Sequence, residues 1–407
     1  MKHLLLLAAA MAVTSIAYGQ TLCSDCPDPA SLSCQLWPAV CEQCLEDCIA
    51  APPIRRISPV NTAPYDPYLV SYMLPKTIGV IQLAHEQPTG WPQNPSYMTN
   101  YQLAEEVASY GFGALKVWME SNPFEGMGPW CWKTYWGVEL CGDYNDTTSE
   151  MYEFWAKSPI DTIFVRPQFF GWTHLEMNEC IGTVGPQMAL ADYYGIAKRL
   201  YSEFGYRNMT VILTDWEQDW IICDGYKDFL VQIINQRQSD VERARKEAFE
   251  ELGYRPNLRV MHAVVVNRYP DNTTDPELPR LAEIIPTLEH RPDLIGLSYW
   301  RKGYDPIETL DWLQETTGYP RYRIYIDELG TGNVDLQAQR YRDYVTAFWD
   351  WGVRVVNIWL WKQTWCEYGG KQYGMWYQQQ PCDGKVEFLG QTPGLEVLQD
   401  LMGVYHE

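Results

Sequence analysis

Positive charge is scarce in this chain. Among 407 residues there are 31 Lys and Arg against 52 Asp and Glu, a formal net charge of −21. Affinity for a phosphate backbone rests on clustered Lys and Arg, so nucleic acid is excluded as the main partner. Long apolar runs are lacking too. Past the first residues no stretch approaches the roughly 18 uncharged apolar residues of a membrane helix, and no membrane partner is expected. Histidine is rare, six in all, with no His-x-His closing the first strand and no His-Glu-x-x-His, so no catalytic metal is expected. The absence of a Gly-x-Ser-x-Gly elbow removes a serine hydrolase. No glycine-rich phosphate turn follows the first strand, which argues against an open doubly wound sheet, and no cofactor is implied. Disorder is excluded by a composition 46% hydrophobic and only 20% charged.

What is present begins with an export signal. Lys2 and His3 precede an apolar run, residues 4–13, and small residues around Ala17 and Gly19 suit cleavage before Gln20. Residues 1–19 therefore read as a signal peptide and the protein as secreted and extracellular. There are twelve cysteines, and six of them (Cys23, Cys26, Cys34, Cys41, Cys44, Cys48) crowd into residues 20–50. With no histidine among them and an oxidising destination, they read as a small disulfide-rich module rather than a zinc site. Cys131 with Cys141, Cys180 with Cys223, and Cys366 with Cys382 read as loop staples, and the sequons at Asn145, Asn208 and Asn272 would accept glycans in a eukaryotic secretory pathway.

Residues 51–76 are proline-rich and lack apolar period, as in a linker. From residue 77 to the end, β-branched and aromatic runs alternate with amphipathic stretches. Strands are expected at 77–83, 114–119, 162–167, 209–216, 259–266, 294–299, 323–327 and 354–361. Helices are expected at 101–110, 150–157, 187–204, 227–252, 277–290, 306–316, 336–351 and 395–401. Apolar strands each followed by a helix make a parallel sheet covered on its outer face, and eight units fit a (β/α)₈ TIM barrel of the α/β class.

In such a barrel the active site lies at the C-terminal strand ends. Those ends carry His85, Glu86, Trp118, Glu120, Arg166, Gln168, Asp215, Glu217, Asn267, Tyr299, Trp300, Glu328, Trp359 and Trp361. Glu217 closes the fourth strand and Glu328 the seventh, positions that face one another across a closed ring. Two acids there can flank one glycosidic bond, one giving a proton to the leaving oxygen while the other attacks the sugar carbon. Strand alternation puts Asp215 on the face of Glu217, able to orient it, and turns Asp327 away from Glu328 as a loop or capping group. His85 is a candidate for substrate binding. Trp130, Trp132 and Trp136, in a long loop, are candidates for stacking on sugar faces.

With a glutamate after strand four and another after strand seven, the chain resembles the retaining glycoside hydrolases of clan A, which include cellulases, mannanases and xylanases. The resemblance covers residues 77 to about 401. It implies Glu217 as acid/base and Glu328 as nucleophile on a β-linked polysaccharide or oligosaccharide. Leu115-Lys116-Val117-Trp118 is similar to the clan's second-strand segment, where an arginine usually replaces Lys116. Tyr299 matches a sixth-strand tyrosine that touches the nucleophile, and Trp359 or Trp361 an eighth-strand tryptophan that floors the subsite. Trp216 stands where the clan has asparagine, leaving the contact to the sugar 2-hydroxyl unassigned. Asp215-Trp216-Glu217 also resembles the end of the chitinase motif, in which the substrate's acetamido group attacks, but the upstream aspartates are missing. A barrel that binds carbohydrate without cleaving it is the third reading. A monomer is expected.

Overall fold

A computed structural model describes residues 68–69, 72–81, 100–121, 130–133, 139–141, 150–169, 193–214, 218–220, 227–252, 256–270, 280–300, 305–359, 361, 374–379 and 387–403. All belong to one unit, Asn61–Glu407. The expected signal peptide and cysteine module lie outside the described residues.

The chain runs β1 (Thr77–Ile81), α1 (Asn100–Ser109), β2 (Ala114–Ser121), β3 (Trp130–Lys133), β4 (Glu139–Cys141), α2 (Glu150–Lys157), β5 (Thr162–Phe169), α3 (Tyr193–Phe204), β6 (Thr210–Thr214) and α4 (Lys227–Glu251). It continues through β7 (Arg259–Val266), α5 (Leu281–Ile284), β8 (Leu294–Tyr299), α6 (Pro306–Thr317), β9 (Ile324–Gly330), α7 (Val334–Trp351), β10 (Val355–Trp359), β11 (Trp376–Gln379), β12 (Glu387–Gln391) and α8 (Pro393–Met402). β6 (TVILT) and β7 (RVMHAVVV) owe their extended form to β-branched side chains that pack on both faces. Local chemistry sets the helix ends. Asp305 caps α6 by accepting from the Ile307 N–H at 2.8 Å, Pro306 occupies its first turn, and Gly318 ends it at φ 72°.

Eight parallel strands, β1, β2 and β5 to β10, pair in that order, and β10 closes on β1. This is the expected (β/α)₈ barrel. Its interior holds Ala114, Phe164, Ile212, Met261, Tyr325 and Val355. The opposite strand faces pack on the helices in a larger apolar layer.

The end of the expected linker belongs to this core. Leu69 and Leu74 are buried among the interior residues. Arg323 donates to the Leu69 carbonyl at 2.8 Å and Arg354 to the Leu74 carbonyl at 3.0 Å, while the Tyr72 hydroxyl meets Thr210. Each of these partners stands at the start of a strand, so Leu69, Tyr72 and Leu74 stopper the N-terminal end of the barrel.

Two expectations are corrected. Of the helix expected at 277–290, the described residues form Leu281–Ile284 followed by a 3₁₀ turn at Ile285–Thr287, because Pro286 has no N–H to continue the ladder. The long loop around the tryptophans contains β3 and β4, which extend β2 as an antiparallel meander. Among the described residues no helix is long and apolar enough to cross a membrane.

Candidate active site

The C-terminal mouth of the barrel gathers two acids, a lysine and two tryptophans. The arrangement starts from an irregularity in β9. Leu297 of β8 pairs with Ile326, but the next residue, Ser298, pairs with Glu328, and β10 shows the same skip from Val356–Ile326 to Ile358–Leu329. β9 therefore has one extra residue, a bulge, and its alternation breaks there. Tyr325 faces the interior and Ile326 the helix layer. Asp327 and Glu328 then both reach the interior cation Lys116, and Leu329 returns to the helix layer.

Lys116 rises from β2 and is 1% exposed. Its Nζ lies 2.5 Å from Asp327 Oδ2 and 3.6 Å from Glu328 Oε1. Asp327 is fully buried, and its Oδ1 accepts from the Tyr325 hydroxyl at 3.1 Å. The expectation that Asp327 is a loop or capping group is thus overturned by the bulge. Lys116 is turned onto these two carboxylates.

Glu328 is 2% exposed and bound on its other oxygen. Oε2 accepts from Ser298 Oγ at 3.2 Å and from Trp300 Nε1 at 3.2 Å, and Trp300 Nε1 also lies 3.1 Å from Ser298 Oγ. The Trp300 ring lies over Gly330, where an added Cβ would stand 2.3 Å from ring carbon Cζ3. Glycine is required there by close approach. Trp359 packs edge-on to Trp300, ring centres 5.5 Å apart. Ser298 and Trp300 were not singled out as partners of Glu328 by sequence, although both stand on the inward parity of β8.

Opposite β9, β6 approaches at the same height. The Tyr325 hydroxyl crosses the interior to Thr214 Oγ1 at 3.3 Å, and burial holds that phenol protonated far above its usual range. Thr214 is three positions before Glu217, as Tyr325 is before Glu328. Asp215, Glu217 and His85 themselves lie outside the described residues. Of Trp118 and Gln168 the backbone alone is described: they fall in β2 and β5, where Trp118 pairs with Arg166 and Gln168 with Glu120. After β6 comes Asp219, 1% exposed, whose carboxylate accepts from the N–H groups of Leu281 (2.7 Å), Asn267 (2.8 Å) and Arg268 (3.0 Å). Burial pushes this carboxyl up to about 6 against the pull of those three donors.

Tyr299 and Trp361 belong to the outer layer. Tyr299 stacks on Tyr269 and meets the edges of Tyr344 and Phe348 among the helices, so the contacts to Glu328 come from its neighbours Ser298 and Trp300. Trp361 is fully buried against Tyr110, Phe112 and Trp376, and its backbone N–H donates to the Ile81 carbonyl at 2.9 Å. It fills the joint of β1 with α1, and Trp359 alone of the two candidate floor residues stands beside Glu328's partner Trp300. Among the described residues no cluster of His, Cys, Asp or Glu could hold a metal ion.

Solved structures resemble this chain. An endo-β-1,4-mannanase from Thermotoga petrophila is 13% identical, with a TM-score of 0.46 over 81% of this chain and 77% of that one. An exo-β-1,4-mannosidase from Opitutaceae bacterium strain TAV5 is 12% identical, with a TM-score of 0.45 over 82% of this chain and 60% of that one. A xyloglucan-specific endo-β-1,4-glucanase from a metagenomic library is 12% identical, with a TM-score of 0.45 over 80% and 96%. Identities and scores this low assign neither residue nor substrate. No family model and no curated protein matches the sequence.

Proposed function

We propose that the protein is a secreted hydrolase of β-linked glycans that works by retention, with Glu328 as nucleophile and Glu217 as acid/base. The observation that carries this reading is Glu328: a carboxylate at the C-terminal end of the seventh barrel strand, its Oε2 held by Ser298 and Trp300, its Oε1 toward a buried cation. A carboxylate so placed is oriented before substrate arrives, as a nucleophile must be. In the first half-reaction a Glu328 oxygen bonds to the anomeric carbon while the glycosidic C–O bond breaks, and Glu217 gives its proton to the leaving oxygen. In the second, Glu217 takes a proton from water, the water oxygen attacks the same carbon, and Glu328 leaves as carboxylate. Trp300 and Trp359 offer an aromatic corner for the apolar face of a pyranose, and the substrate acts as a polysaccharide or oligosaccharide chain threading the mouth.

Export is supported by the character of residues 1–19 and by two further features. Cys131 and Cys141 stand directly opposite in the β3–β4 ladder, a register that brings Cα atoms to about 4.5–5.5 Å, within disulfide span. Asn208, a sequon, is exposed in the turn before β6.

Reducing-sugar release from β-mannan, β-glucan, xylan, cellulose and chitin tests the reading, with wild type beside Glu328→Gln and Glu217→Gln. The expected result is release from a β-linked polymer by wild type, lowered by at least ~10²-fold in each variant with folding retained. Release that survives in Glu328→Gln overturns the mechanism, and on chitin would point to acetamido-assisted cleavage with Asp215 orienting Glu217. Binding without release from any polymer would make the protein a non-catalytic carbohydrate-binding barrel.

A further inference from the structure

The bulge in β9 sets two carboxylates against one cation. Lys116 is 2.5 Å from Asp327 and 3.6 Å from Glu328, so the closer ion pair is with the residue that has no assigned part in the reaction. All three groups are buried to within 2%. In so dry a place a unit charge a few ångströms away decides whether a carboxyl ionises.

We propose that Asp327 is a positioning residue: by holding Lys116 it limits the positive charge that Glu328 receives, and so sets the pH at which Glu328 ionises. The inference rests on the reading of Glu328 as nucleophile for its bearing on catalysis, but the electrostatics stand apart from it. With Lys116 given wholly to Glu328, the carboxylate would be stabilised and its attack on carbon weakened. With no cation at all, two adjacent carboxylates would compete, and one would hold a proton. The pair of acids sharing one lysine lies between these extremes.

The titratable groups that the structure sets beside Glu328 include Lys116 from β2 and Asp327 and Tyr325 from β9. β8 brings the neutral Ser298 and Trp300, and β10 the neutral Trp359 behind Trp300. The Trp300 indole N–H is a reporter already in place, since it donates to Glu328 Oε2 at 3.2 Å.

The test follows the Trp300 indole proton by NMR as pH is varied on the full chain, the signal being assigned by its loss in Trp300→Phe. Asp327→Asn removes the competing anion and keeps the shape, so the inflection should move down by about one pH unit or more. Lys116→Met removes the shared cation, so it should move up by a similar amount, and Lys116→Arg should restore it. The acid limb of kcat/KM should follow in the same directions. Inflections that stay put, or that move the same way in Asp327→Asn and Lys116→Met, overturn the proposal. If Lys116→Met does not fold, the direction in Asp327→Asn decides alone. Hydrolysis retained by Glu328→Gln would instead remove the functional reading and leave the indole titration to judge this one.

Discussion

Trp359 and Trp361 are two positions apart, yet they answer to different physics. Trp359 is partly open and sits edge-on to Trp300 at the barrel mouth, whereas Trp361 is fully enclosed by Tyr110, Phe112 and Trp376. Trp361→Ala should therefore lower stability by about 3–5 kcal/mol with kcat/KM on a cleaved glycan nearly unchanged. Trp359→Ala should raise KM roughly 2–10-fold, the equivalent of about 0.5–1.5 kcal/mol of ring stacking, with little loss of stability. Denaturant unfolding and steady-state rates on both variants separate the roles, and a stability loss confined to Trp359→Ala would reverse them. Sequence ranked these tryptophans together because both end the same apolar run.

Among the described residues, the turn after β6 holds a carboxyl whose charge changes near pH 6. Asp219, in the 3₁₀ turn Gln218–Trp220, draws in the end of β7 through Asn267 and Arg268 and the start of α5 through Leu281. Its carboxyl stands near 6 in the folded protein against an ordinary 3.8, because burial penalises the charged form. A raised folded value means that the folded state holds its proton more tightly than the unfolded chain. The resulting stability is complete below about pH 4 and is lost as pH rises through about 6. Asp219→Asn removes this dependence and sets an amide NH₂ against backbone N–H donors. The variant should be less stable than wild type throughout, and its deficit should be larger near pH 4 than near pH 7, by up to about 3 kcal/mol. Urea unfolding at the two pH values checks it, and an equal deficit at both would refute the assignment.

At the scale of the molecule the two ends of the barrel differ: one is filled by the segment before β1, the other carries Asp327 and Glu328. Leu69, Tyr72 and Leu74 occupy the end where the strands begin, tied by Arg323 and Arg354, and the carboxylates sit where they finish. Leu74→Ala should cost about 2–5 kcal/mol of stability and leave kcat unchanged, measured by unfolding and turnover. A fall in kcat at unchanged stability would show the two ends to be coupled. Much of this was legible in the sequence. Strand runs rich in Val and Ile, helices between them and caps such as Asp305 and Gly318 are local properties, set by sterics and by hydrogen bonds within a few residues, and they sufficed for eight β/α units and for Glu328 at a strand end. The cysteine spacing and the apolar run at residues 4–13 are likewise statements the chain makes alone. Tertiary structure decided the rest. Whether Asp327 faces Lys116 depends on an extra residue in β9 that is visible only against the register of β8 and β10, since alternation holds within a strand until its neighbours force a bulge. Which aromatic enters the mouth and which the helix layer, Trp300 and Trp359 or Tyr299 and Trp361, was settled by closure of the sheet, because only a closed ring gives each strand an inside and an outside.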